Sequence, residues 1–209
     1  MNDRSTTISD EAIAARLGFS PGLLLRIGSV AALAARIEYQ VELAIWEIKK
    51  EKVEGLHPST DGKTISALIK MIVAECVAMP AGDLKKLSGL WTDVAWLAFS
   101  CRNTIFHGVA TRLSKDPGEI DYIKAPGWHG EQRKRETKTF IANEHTLNLL
   151  IEVFEALAAG IELITRLAMQ QPVFLEPLVL EHITRQLRSA WSIAAEIDDL
   201  PAAVNHEKY

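Results

Sequence analysis

Apolar residues recur at helical spacing over most of the chain. Ile27, Val30, Ala34, Ile37, Val41, Ala44 and Ile48 follow one another at steps of three and four. That period places them on one side of a helix. The pattern predicts a long helix from about Leu23 to Glu54, preceded by a short one over Ser9–Leu17 that Gly18 stops. Further helices are expected over about Thr64–Ala78, Asp83–Leu113, Asn143–Met169 and Glu176–Ile197. The breaks between them carry the residues that stop helices: the loop Gly55–Lys63, Pro80, Gln171-Pro172 and finally Pro201. Asn143 stands where an N-cap belongs.

One stretch departs from this period. Asp116-Pro117-Gly118 and Ala125-Pro126-Gly127 read as turns, and Glu119–Lys124 and Arg135–Ile141 alternate between apolar and polar positions. Alternation with period two predicts a β-hairpin, closed by a loop of about nine residues. The expected fold is all-α: an antiparallel up-and-down helical bundle with a β-hairpin inserted before the fourth long helix. Residues 1–22 form a helical extension, 23–169 the bundle with its hairpin at about 119–141, and 170–209 a C-terminal helix packing on it.

Composition narrows the function only a little. The 209 residues are 48% hydrophobic and 24% charged, as in an ordinary globular protein rather than a disordered one. The net charge of −4 argues against a surface that is basic throughout and coats nucleic acid. Cys76 and Cys101 sit among apolar residues and read as buried thiols of a reducing compartment. No Cys or His spacing suggests a metal site, and no cofactor is expected. No signal-type leader or uncharged apolar run of about 18 residues appears, so a cytoplasmic protein without membrane contact is expected.

The helix over Asp83–Leu113 has two characters. Leu84, Leu87, Trp91, Val94, Ala98, Cys101 and Ile105 make its core seam. At about 100° per residue, Trp96, Asn103 and His107 fall on the opposite side, with Phe99 and Phe106 between. Aromatic anchors mixed with a few polar groups suit a subunit interface or a ligand cleft. The alternative is packing against the C-terminal helix, with Asn103 and His107 hydrogen-bonded there.

The string Cys101-Arg102-Asn103-Thr104-Ile105-Phe106-His107-Gly108 resembles the motif of the HEPN superfamily, the higher eukaryote and prokaryote nucleotide-binding domains. That motif is an Arg followed after four to six residues by His, often as Arg-Asn…His-Gly. The resemblance extends over about Leu23 to Met169. It implies a homodimeric bundle, and often a metal-independent endoribonuclease acting as a toxin with a cognate antitoxin protein or in antiviral defence. The motifs of two protomers would form one composite site, with Arg102, Asn103 and His107 catalytic and Trp96, Phe99 and Phe106 at the dimer interface. Val109 stands where members linked to nucleotidyl transfer carry Tyr, so that subtype is not expected. Glu38 and Glu42 are possible equivalents of an acidic or polar residue that members carry on the first long helix; otherwise they read as solvated charges. The competing expectation is a HEPN-like dimer without catalysis that binds a partner or nucleotide.

The chemistry of RNA cleavage suits these residue types. RNA carries its own nucleophile, the 2′-hydroxyl. His moves protons near neutral pH, and Arg matches phosphate oxygens in pairs. Asn103 precedes His107 by four residues, so it is placed to orient the imidazole or bind phosphate. Arg102 and His107 diverge by about 140° on an ideal helix, a difficulty that a second motif across a two-fold axis eases.

Two further segments bear on nucleic acid. Between Tyr122 and Phe140, Lys124, Arg133, Lys134, Arg135 and Lys138 outnumber Glu131 and Glu136, a balance of +3. With Trp128, the residues Lys124, Arg133, Lys134 and Arg135 are candidates for binding a single-stranded RNA backbone and an unstacked base. They also fit an ordinary solvated hairpin tip. The segment Glu11–Ile27 resembles a helix-turn-helix, but its second helix opens Gly22-Leu23-Leu24-Leu25, which offers base edges no hydrogen bonds. It reads instead as a helix pair packed on the bundle.

Overall fold

The computed structural model describes residues 9–206 except 53, 56, 108, 112–119, 125–127, 130–131, 134–137 and 170–176; for 109–141 and 198–206 it describes the backbone alone. The described chain is helical. Six helices carry it: α1 (Asp10–Leu17), α2 (Pro21–Lys49), α3 (Ile65–Ala78), α4 (Asp83–His107), α5 (Glu144–Ala168) and α6 (Pro177–His206). Their starts follow the capping signals. Ser9, Ser20, Thr64 and Asn143 each accept a hydrogen bond from a backbone N–H of the first turn, and Asn143 and Thr146 form a reciprocal capping box.

Three helix ends differ from the sequence pattern. α2 stops at Lys49 rather than Glu54, because Lys50 takes a left-handed conformation (φ 52°) and Glu51 turns away to bind Ser59. α4 stops at His107 rather than Leu113, because Val109–Thr111 joins a sheet as β1. α6 runs through Pro201, which costs a helix one hydrogen bond and a local bend without necessarily ending it.

The direction of the helices also differs from strict up-and-down alternation. Arg26 near the start of α2 bonds Glu144 and Asn148 at the start of α5, while Lys50 beyond α2 donates to the Ala168 carbonyl at the end of α5. α2 and α5 therefore run the same way. The cause is the segment after α2, which folds back along it. Thr60 is fully buried, accepts from Trp46 Nε1 and donates to Glu42, and Ser59 donates to Glu51. α4 runs against α5, since Trp91 Nε1 donates to the Leu157 carbonyl at 2.8 Å and Phe99 meets Phe154 edge-on, ring centroids 5.2 Å apart.

The core lies between α2, α3, α4 and α5, with α6 packed on α4 and α5. Gly160 permits the close approach there. A Cβ at Gly160 would lie 2.9 Å from Trp91 and 3.1 Å from Leu187. α1 meets α2 at an 88° bend and packs on its start. No single described helix is long and apolar enough to cross a membrane.

The strands between α4 and α5 are not the simple hairpin of the sequence pattern. β2 (Ile120–Lys124) pairs antiparallel with β5 (Lys138–Ala142), with Tyr122 opposite Phe140, but β1 adds a third strand on the other side of β2. β3 (Trp128–His129) and β4 (Gln132–Arg133) form a separate two-stranded ribbon between them. The three-stranded sheet lies against α4 and α6.

Candidate active site

Cys101 and Ile105 point into the core and fix the rotation of the last two turns of α4. That rotation sends Arg102 toward α2, where its Nη2 lies 3.6 Å from Glu38 Oε1. This is an ion pair, too long for a hydrogen bond. Arg102 Nη1 donates to its neighbour Asn103 Oδ1 at 3.0 Å. The guanidinium also covers the Phe106 ring, 5.1 Å from its centroid, a contact that ring electrostatics favours. The Arg102 side chain is 22% exposed, and its Nε is buried with no acceptor among the described residues. A charged group is thus held from three sides while keeping one N–H unpaired, an arrangement that ordinarily costs stability.

His107 has a different setting. It is the last residue of α4 and exposed, and among the described residues it makes no hydrogen bond or ion pair. The structure therefore groups Arg102, Asn103, Phe106 and Glu38, and leaves His107 apart. Of the two roles open to Asn103, orienting the imidazole and binding phosphate, no hydrogen bond to His107 is present among the described residues; its oxygen accepts from Arg102.

The acidic candidates on α2 separate. Glu38 joins Arg102, whereas Glu42 accepts from Thr60 in the polar cluster beyond α2. Among the aromatic candidates, Trp96 and Phe106 are 38% and 37% exposed. Phe99 is corrected: at 2% exposure, stacked edge-on with Phe154, it belongs to the core and cannot anchor a subunit interface. α4 is buried on a wider arc than one seam, because α5 and α6 flank it as well as α3; Ser88, Thr92 and Ala95 are buried too.

Of the candidate RNA contacts, Lys124 ends β2, and Trp128 and Arg133 are register partners in the β3–β4 ribbon. Lys134, Arg135 and the motif's Gly108 lie outside the described residues. No three His, Cys, Asp or Glu side chains gather as metal ligands among the described residues. Cys76 is buried, and that burial pushes its thiol pKa up, away from the reactive thiolate. Comparison with protein-family models, curated proteins and solved structures finds no match to this chain.

Proposed function

We propose that the chain is a metal-independent endoribonuclease of HEPN type, acting in the cytoplasm as a toxin or in antiviral defence. Its composite site is built by two protomers. The observation that carries this reading is the contrast at the end of α4. A half-buried guanidinium is fixed by Glu38, Asn103 and Phe106, and an open imidazole follows five residues later. A fixed cation suits phosphate, whose charge grows during attack by the 2′-hydroxyl. An open imidazole suits proton transfer to and from substrate oxygens. Because the two groups diverge within one chain, a partner motif supplies the missing group. Exposed Trp96 and Phe106 offer apolar contact for that pairing.

In this mechanism His107 removes the 2′-hydroxyl proton, the 2′-oxygen attacks phosphorus, and the 5′-oxygen leaves with a proton from the second imidazole. Arg102 stabilises the charge on the non-bridging oxygens. The products are a 2′,3′-cyclic phosphate and a 5′-hydroxyl. The test is cleavage of single-stranded RNA by purified protein in EDTA, with analysis of product ends. Cyclic phosphate, lost in Arg102→Ala and His107→Ala, is the expected result. Ends bearing 3′-hydroxyl, or cleavage unchanged in His107→Ala, refute the mechanism. If neither wild type nor variant cleaves RNA or harms an expressing cell, the non-catalytic reading replaces it.

A further inference from the structure

The outer face of α2, opposite its core side, is not covered by the described chain. Leu25, Gly28, Ala32, Ala35 and Tyr39 are all exposed there, at steps of three, four, three and four. Leu25 and Tyr39 are 70% and 61% exposed, high for large apolar groups. Open space surrounds Gly28, where an added Cβ would meet nothing within 4 Å. The three-four alternation is the spacing by which one helix seats against another. A groove of about 690 Å³ continues this face toward α1, with Asp10 and Glu11 on its rim.

We infer that this face pairs with the same face of a second copy, α2 against α2 in opposite directions, about a two-fold axis through Ala32. The sizes of the residues carry the choice of occupant. Leu25 precedes Ala32 by seven residues and Tyr39 follows it by seven, so an antiparallel copy sets Leu25 opposite Tyr39, Ala32 opposite Ala32, and Gly28 near Ala35. Small residues let the two backbones approach at the axis. The large ones fill the space about 10 Å away on either side, where crossing helices diverge. A two-fold interface must be complementary to itself in this way.

Charge agrees with the same pairing. Arg36 is exposed and makes no ion pair among the described residues. The antiparallel register brings it level with Gly28 of the second copy, beside the rim that Asp10 and Glu11 make negative. The face is built on α2 and shares no residue with Trp96 and His107 of α4, and the inference does not rest on the ribonuclease reading. A chain using both faces would form a tetramer rather than a dimer.

The test is the mass of the full chain in solution, by light scattering at micromolar concentration, for wild type, Ala32→Glu and Trp96→Glu. Circular dichroism checks that each variant is folded; Ala32 is exposed, so a carboxylate there disturbs no core. Ala32→Glu is expected to halve the mass. Arg36→Glu is expected to weaken the assembly, and Asp10→Lys with Glu11→Lys to restore it. Ala32→Cys is expected to form a disulfide-linked dimer on oxidation, while Lys70→Cys on the exposed side of α3 does not; both native cysteines are buried. The inference is overturned if wild type has the mass of one chain, or if Ala32→Glu leaves the mass unchanged while Trp96→Glu halves it. It is equally overturned if Ala32→Cys links no better than Lys70→Cys.

Discussion

The Glu38–Arg102 pair can be tested by a double-mutant cycle of Glu38→Gln and Arg102→Met. Two unit charges 3.6 Å apart near a protein surface attract by about 4–5 kcal/mol at an effective dielectric of about 20. Most of that does not survive. The side chains are 22% and 34% exposed, so water and salt screen them, and holding two long side chains costs entropy. The expected coupling is about 1 kcal/mol at low salt, falling as salt rises. The single variants should not be equal. Glu38→Gln loses little beyond the coupling. Arg102→Met also loses the contact with Phe106, worth about 0.5–1 kcal/mol, and leaves Glu38 without its partner. Methionine preserves most of the side-chain bulk, so the difference is not a cavity. Urea denaturation of the four proteins gives the cycle. A coupling of about 0.2 kcal/mol or less, insensitive to salt, would refute the claim that Glu38 holds the guanidinium.

Other expectations can be checked on the same protein. Phe99→Ala should destabilise by about 3–5 kcal/mol, as for any buried aromatic, whereas Trp96→Ala should cost about 1 kcal/mol or less; equal losses would contradict the assignment of Phe99 to the core. Gly160→Ala should cost about 1–3 kcal/mol through overpacking against Trp91 and Leu187, and a variant of unchanged melting temperature would show that α6 gives way freely. The hydrogen bonds from Ser59 hold the Glu51 carboxyl below its ordinary pKa. A lowered folded pKa gives stability that is present above the unfolded pKa and is lost as pH falls through the folded one. The melting temperature of wild type should therefore exceed that of Glu51→Gln at neutral pH, and the gap should close below about pH 4. A gap constant with pH would mean the carboxylate is not the acceptor.

The helices were legible because their signals are local. Period, caps and breakers lie within a few residues of each other, and Ser9, Ser20, Thr64 and Asn143 do the capping that their side chains allow. What was not legible depends on neighbours distant in sequence. The arc of α4 that holds Phe99 resembles a surface on a helical wheel, yet α5 covers it. Only the position of Phe154 decides that. The common direction of α2 and α5 likewise depends on how the segment after α2 returns, through Thr60 with Trp46 and Glu42, none of which announces itself in a periodic pattern.

The site divides in the same way. Arg102, Asn103 and His107 stand out as a string, but a string cannot say which of them touch. On an isolated helix, Asn103 would be the natural partner of His107, four residues on. In the folded chain the Asn103 oxygen accepts from the Arg102 guanidinium. Glu38 reinforces that outcome from another helix. The consequence is functional. A histidine with no hydrogen bond or ion pair among the described residues is left to be oriented by what approaches it, whether substrate or a second protomer. An arginine already oriented from within pays less entropy when it meets a phosphate. If the chain cleaves RNA, its single protomer is thus half prepared: the charge is in place and the proton carrier awaits a partner. Loss of the assembly should then lower turnover far more than it lowers RNA affinity, and a monomeric variant with full turnover would show that His107 needs no second copy.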